Sequence, residues 1–276
     1  MAIDVKDEPS EYRFRVVSYN VHRCVGMDGR QDPGRVAEVI RELDADIVGL
    51  QEVDSKSGED SRFEQMRKLA KASDFHVIPG VTILRGDEDY GNVLLTSRRV
   101  GEIRRLDLSL PGREPRGAID VDLDVAGEPV RVIVTHLGLR PRERRAQVRK
   151  MLDVLMVKPD RITILMGDIN EWLPGSRPLR WLQGRLGKSP APRTFPAFFP
   201  LFALDRIWVW PIRALLSIRA HDSPVARIAS DHLPVAADVA ALPLLAERMP
   251  SLDAPPSVFE DTAGSTDSSG AVSELP

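Results

Sequence analysis

The stretch Ile162–Asn170, ITILMGDIN, decides how this chain is read. Its first five residues are apolar or β-branched, a short run of the kind that fills a strand buried on both faces. It then passes through Gly167 into Asp168, Ile169 and Asn170. A hydrophobic core does not tolerate unpartnered polar groups, so a core strand with this ending aims its carboxylate and carboxamide at something. The two-residue spacing predicts that both side chains leave the same side of an extended segment.

The same pattern recurs along the chain. FRVVSYN (14–20) ends on Asn20, with His22 just beyond, and ADIVGLQEV (45–53) carries Gln51 and Glu52. VRVIVTH (130–136) ends on His136. LDRIWVW (204–210) starts beside Asp205, and LPVAADVA (233–240) follows Asp231 and His232. FHVIPGV (75–81), NVLLTS (92–97) and the alternating AIDVDLDV (118–125) complete the expected strands. Helices are expected at 32–43, with Asp32 as N-cap and Pro33 at the first helical position, and at 59–73, 140–157 and 176–186. Strands come in runs and do not alternate strictly with helices, which predicts an α+β fold with sheets and flanking helices.

Composition sets the frame. The chain has 276 residues, 42% hydrophobic and 29% charged, with a formal net charge of −3. This suits one sizeable globular domain and supplies no global field that would pull it onto a polyanion. The expected organisation is a flexible segment 1–12, one domain over 13–243, and a disordered tail over 244–276 that is rich in Pro, Ser, Asp and Gly. Cys24 is the single cysteine, so no internal disulfide can form. The polar N-terminus lacks a signal-peptide core, and no run reaches the roughly 18 apolar residues of a membrane span. A cytoplasmic monomer is the expectation.

Carboxylates (Glu52, Asp168, Asp205, Asp231), carboxamides (Asn20, Asn170) and histidines (His136, His232) dominate these strand ends, with no thiolate partner. An oxygen-rich set of this kind suits a hard cation such as Mg²⁺ or Mn²⁺. Histidines beside a metal-bound phosphate suit proton transfer or charge stabilisation.

The ordered series SYNVH, DIVGLQEV, YGNVLLTS, VTHLGL, LMGDIN and SDHLPV resembles the motif set of the endonuclease/exonuclease/phosphatase superfamily over about residues 14–240. YNVHRCVGMDGRQDPGRVAEVI and REPRGA are most similar to its bacterial YbhP-type members. The resemblance implies a four-layer α/β/β/α sandwich with the site at one edge shared by two packed sheets. It also implies that Glu52 is the principal metal ligand, with Asn20 beside it and Asp231 as a further metal-side carboxylate. Asp168 and Asn170 would position and activate water. His232, oriented by Asp205, would face the scissile phosphate, with His136 as a second histidine. Asn92 and Arg116 would contact substrate phosphate. The implied activity is metal-dependent hydrolysis of a phosphodiester or phosphomonoester.

Other features are weighed against plainer readings. Asp120, Asp122 and Asp124 alternate with apolar residues and read as the polar face of a half-exposed strand, because the glycine and distal glutamate of a Ca²⁺ loop are missing. His76 and His221 read as structural; His22 and Cys24 lie near the expected site without a clear part in it. The run RPRERRAQVRK (140–150) reads as a solvated helix face, or else as a patch that steers a phosphate polyanion or lipid headgroups. The aromatic segment 194–216 reads as core, or in part as an exposed loop meeting lipid or a partner. Low charge and short loops favour a lipid or small phosphoester, with peripheral membrane contact, over a nucleic-acid substrate. The alternatives are a DNA or RNA nuclease and a phosphate-binding module without catalysis.

Overall fold

The structure, a computed structural model, describes residues 12–56, 69, 71, 75–85, 88–155 and 161–241. The expected helix at 59–73, apart from Leu69 and Lys71, lies outside the described residues, as do the terminal segments 1–11 and 242–276.

In chain order the elements are β1 (Tyr12–Asn20), α1 (Pro33–Leu43), β2 (Ile47–Lys56), β3 (His76–Arg85), β4 (Glu88–Thr96), β5 (Arg99–Asp107), β6 (Gly117–Val125), β7 (Glu128–His136), α2 (Pro141–Leu155), β8 (Ile162–Asp168), α3 (Arg177–Leu186), β9 (Asp205–Trp210), β10 (Leu215–Ala220), α4 (Ala226–Ala229) and β11 (Val235–Ala241). One sheet runs β10-β11-β1-β2-β4-β3 and the other β5-β6-β7-β8-β9. The inner faces meet in a core that includes Val16, Ile47 and Leu94 from one sheet and Val121, Val132, Val134, Ile164 and Met166 from the other. On the outer face of the first sheet, Val17, Val48 and Leu95 pack with Val36, Ile40 and Leu43 of α1. On the outer face of the second, Ile133, Leu165 and Trp208 pack with Val148, Met151 and Leu155 of α2 and Leu179 and Leu182 of α3. These are the four layers expected. They explain why β8 is buried along its whole length and reads as a continuous apolar run.

α1 starts as its sequence dictates: the Asp32 carboxylate accepts from the Gly34 and Arg35 amides at 2.9 and 3.3 Å. Two strands were not legible in the sequence. β5 is an edge strand with five arginine or acidic residues and little burial, and β10 is another edge with a register irregularity between Leu215 and Ser217. Neither shows the apolar periodicity of a half-buried strand.

Two expectations about charge are corrected. The aspartates of β6 do not form one solvated face: Asp120 is fully buried, because Arg131 and Arg104 both bind it side-on. Burial pushes its carboxyl up, but those two guanidinium groups outweigh burial and hold it below the ordinary carboxylate value. The basic run 140–150 is not wholly solvated either. Glu143, Arg144 and Gln147 turn inward from α2.

The topology explains where the site lies. β1 and β2 run parallel, with Asn20 opposite Gln51, and β7 and β8 run parallel, with His136 opposite Asp168. Antiparallel β9 begins at Asp205, opposite Asp168. Antiparallel β11 pairs Val235 with Ser18, which puts the preceding His232 at the same end. The C-terminal ends of the parallel strands and the N-terminal starts of their antiparallel neighbours thus share one edge of the sandwich.

Candidate active site

At this edge the two sheets are joined by side chains. Asn20 Nδ2 donates to Glu52 Oε1 at 3.2 Å and to Asp168 Oδ2 at 3.1 Å, while its Oδ1 accepts the His22 amide at 3.0 Å. One carboxamide from the first sheet therefore holds two carboxylates together, one from each sheet. Glu52 sits at φ +57, where the β2–β4 register breaks between Leu50 and Val53. A non-glycine residue held in the left-handed region at a bulge is uncommon, and such strain concentrates at functional sites. The bulge aims Glu52 out of the strand.

Asp168 and Asn170 do converge, but not through an extended segment. Gly167 has φ +150 and Asn170 φ +54, so the chain turns sharply here. Asp168 Oδ1 accepts the Asn170 amide at 2.8 Å. Asn170 Nδ2 donates to Leu137 O at 2.9 Å and lies 2.9 Å from His136 Nε2. That network assigns the His136 proton to Nδ1. His136 Nε2 also lies 3.4 Å from Asp168 Oδ2. Burial, with Arg116 and His232 nearby, holds the His136 imidazole well below its ordinary value, so it is neutral.

His232 has the opposite setting. Its Nδ1 donates to Asp205 Oδ2 at 2.7 Å, and that oxygen also accepts from Thr194 Oγ1 at 2.5 Å. Burial alone would lower the imidazole, but the Asp205 carboxylate outweighs it and raises His232 to about 10. His232 Nε2 is left facing Asp168 Oδ2 at 3.9 Å. Burial, reinforced by Asp205, raises Asp168 to about 6 against the opposing pull of His232. Two histidines pushed apart in this way suit opposite proton-transfer roles.

The remaining expected residues lie at the rim. Asp231 is partly exposed and sits 3.7 Å from His22 Nδ1, with Ser230 Oγ at 3.4 Å. Asn92 is buried and donates to Gly117 O at 3.0 Å, tying β4 to β6 across the sheets. Arg116 is also buried and binds Glu114 end-on through its two terminal nitrogens at 3.3 and 3.1 Å, leaving Nε without a hydrogen-bond partner. A pocket is lined by Glu52, Tyr90, Gly91, Asn92, Arg116, Gly117 and His136. Cys24 is buried, with its thiol pushed up to about 12 by burial and by Asp32 and Asp54, which makes it a packing residue. His221 Nε2 pairs with Glu42 at 2.8 Å, in the structural role expected.

Three site neighbours carried no recognisable sequence signal. Thr194 supports Asp205, Ser230 Oγ donates to Asn20 O at 2.7 Å, and the Phe195 ring lies 4.9 Å from that of His232. Each is brought in by a loop whose path only the packed fold determines.

The donor set fits a hard divalent cation. Glu52 and Asp168 offer carboxylate oxygens and no thiolate, and two carboxylates held on one amide repel each other until a cation offsets them. Among the described residues, Asp168, Asp205 and His232 also place one ligand atom each within 4.8 Å of the others. His232 Nδ1 is already committed to Asp205 in that trio, so we read it as an oriented imidazole beside the acidic pair.

Fold and site together define an α/β/β/α sandwich with a candidate acidic metal site at one shared sheet edge. The family model for the Endonuclease/Exonuclease/phosphatase family matches residues 17–232, and the chain belongs to that family. Among its relatives is YbhP of Escherichia coli K12, 28% identical over 257 residues, covering 84% of this chain and 98% of YbhP. An endonuclease/exonuclease/phosphatase from Beutenbergia cavernae has the same fold, with a TM-score of 0.71 at 24% identity, over 86% of this chain and 74% of that one. Truncated Caenorhabditis elegans TDP2 shares the fold with a TM-score of 0.61 at 18% identity, over 83% of this chain and 98% of that one. Among the described residues, no helix is long and apolar enough to cross a membrane.

Proposed function

We propose that residues 13–243 form a catalytic unit that hydrolyses a phosphoester with a divalent cation, Mg²⁺ or Mn²⁺. The observation that carries this is the pairing of an Asp205-oriented His232 with the Glu52–Asn20–Asp168 group at one edge. Glu52 would hold the cation and Asn20 would join it through Oδ1, which requires the carboxamide to turn over from its Nδ2-inward setting, with Asp231 as a carboxylate at the exposed rim. A bound cation supplies Lewis-acid stabilisation of charge on the phosphoryl oxygens.

The chain's own residues do the rest. Asp168 takes the proton from the attacking water, whose position Asn170 sets. His232 presents Nε2–H to the phosphate or to the departing oxygen, and Asp205, which accepts from Nδ1–H, stabilises the imidazolium that carries that proton. His136, held neutral, completes the wall beside Asp168. Arg116 and Asn92 stand beside Glu52 and His136, where Arg116 would contact the non-bridging oxygens and Asn92 would support that wall. With a net charge of −3 and an apolar loop against His232, a lipid or small phosphoester is favoured over nucleic acid.

The test uses the full chain and bis(4-nitrophenyl) phosphate. Hydrolysis should require Mg²⁺ or Mn²⁺, stop with EDTA, and fall about 10²-fold or more in Asp168→Ala and His232→Ala. Turnover that persists in EDTA, or in either variant, would overturn the reading.

A further inference from the structure

We propose that two apolar loops beside His232, around Trp172–Leu173 and Phe198–Phe202, insert into a lipid surface and present a phosphoester headgroup to the site. This rests on the phosphoester reading above and names the physical form of the substrate. Trp172, Leu173, Phe198, Phe199, Leu201 and Phe202 are 43%, 69%, 57%, 63%, 46% and 37% exposed. A concentration of large apolar side chains on two neighbouring loops marks an interaction surface, whereas single exposed ones do not.

The loops touch each other and the site. The Trp172 ring lies 4.7 Å from Phe202 and 5.7 Å from Phe195, and Phe195 lies 4.9 Å from His232. A row of rings thus runs from solvent to the imidazole. The backbone holds the tip outward. Thr194 and Phe195 amides donate to Phe202 O, Leu201 and Phe202 amides donate to Phe195 O, and the Phe199 amide donates to Pro196 O. The buried Ala197 amide anchors the loop to Asp231 O at 2.7 Å. Phe198 and Phe199 are therefore displayed on a closed, anchored loop.

The chemistry of the tip selects the occupant. Residues 194–203, TFPAFFPLFA, carry no charge. Of the cations beside the tip, Arg227 holds Phe198 O and is paired side-on with Asp222 at 2.5 and 2.6 Å, so its charge is already met, which leaves the exposed Arg193 at the start of the loop as a single cation and not a strand-long path. A nucleic-acid platform combines rings with unpaired cations along a strand path. Rings and a leucine without charge match hydrocarbon, which offers no hydrogen bonds, with Trp172 at the polar boundary. Because the row ends on His232, an amphiphile that covers it would have its headgroup at the site.

The test is sedimentation of the full chain with sucrose-loaded phosphatidylcholine vesicles, with and without phosphatidylglycerol. The wild type should pellet with phosphatidylcholine alone. The double variant Phe198→Ser/Phe199→Ser should lose about tenfold or more in partitioning, since two exposed rings would no longer be buried. Leu173→Ser, on the other loop, should weaken binding in the same direction. Unchanged thermal midpoints establish that the variants are folded, and if the double variant is not, Leu173→Ser carries the test. Several results would overturn the proposal: a wild type that stays in the supernatant, binding that needs anionic lipid and vanishes with salt, variants that bind like the wild type, or rings whose loss abolishes instead self-association or oligonucleotide binding. A chain that hydrolyses bis(4-nitrophenyl) phosphate but ignores vesicles would refute this inference alone. Vesicle binding without hydrolysis of any phosphoester would refute the enzymatic reading and, with it, headgroup presentation.

Discussion

Replacing Gly167 with alanine tests whether the site geometry depends on a single backbone contact. Gly167 has φ +150, a region essentially reserved for glycine, and an added Cβ would stand 1.8 Å from Thr135 O and 2.8 Å from Thr135 C. Both atoms belong to backbone in the parallel β7–β8 pair, so no side chain can swing aside. Reaching the 3.0 Å below which real Cβ atoms essentially never approach requires the strands to part by about 1.2 Å here. The forced backbone conformation costs about 1–3 kcal/mol. Each ladder hydrogen bond lost adds about 1 kcal/mol. We expect a total near 3–5 kcal/mol, which lowers the thermal midpoint by about 10 °C in a domain of this size. The residues that follow the contact are Asp168 and His136, so activity should fall further than stability, by about 10²-fold for a displacement near 1 Å. The assay pairs thermal unfolding by circular dichroism with bis(4-nitrophenyl) phosphate turnover in Mg²⁺, measured below both midpoints. Gly184→Ala is the control. Gly184 lies within α3 with nothing within 4 Å of an added Cβ, so alanine there should stabilise by about 1 kcal/mol. Gly167→Ala with a wild-type midpoint and rate would refute the strand-contact argument.

Other expectations follow from the same geometry. Asp205→Asn should lower kcat by about 10²- to 10⁴-fold with a smaller effect on KM. It should also move the alkaline limb of the kcat profile to lower pH, because the carboxylate that raises His232 is gone and burial, which lowers it, remains. In metal-free protein, buried His136 has a depressed folded pKa, so its stabilising contribution is complete above the unfolded value of about 6.5 and is lost as pH falls below it, at about 1.4 kcal/mol per pH unit. Asp168, raised to about 6, contributes the opposite slope below that pH, so the signature of His136 is the difference: the wild type should lose stability relative to His136→Gln by that slope as pH falls, read from urea midpoints at successive pH values. Arg144 binds Glu171 at 3.0 and 3.3 Å with both side chains almost fully buried, and also holds Leu139 O at 2.5 Å. Arg144→Met should therefore cost about 3–5 kcal/mol in chemical denaturation by stranding Glu171, and Arg144→Met/Glu171→Leu should recover much of it; a double variant no better than the single would refute the stranded-charge argument.

The layers were legible because their signal is local. Apolar runs such as Ile162–Met166 are buried on both faces whatever their neighbours, and Asp32–Pro33 caps α1 through its own amides. The edge strands β5 and β10 were not legible because pairing on one side only imposes little apolar pattern. The buried state of Asp120 and Arg144 was equally hidden. A charge is buried when a distant partner meets it, here Arg131 and Glu171, and spacing along the chain does not encode that meeting.

By itself the sequence determined which side chains stand at or just beyond strand ends: Asn20, His136, Asp168, Asn170, Asp205 and His232, whereas Glu52, also expected at an end, stands at a bulge inside β2. Side-chain alternation and strand length place them there without reference to the rest of the fold. Tertiary structure decided that these ends meet, that one Asn20 amide spans two sheets, and that Asp205 turns to His232 while Asp231 turns to His22. It also decided that the rings of Phe198, Phe199 and Phe202 face outward while that of Phe195 lies against His232. The physical reason is that hydrogen bonds and ion pairs between distant segments depend on distances of a few tenths of an ångström, which only the packing of whole sheets sets.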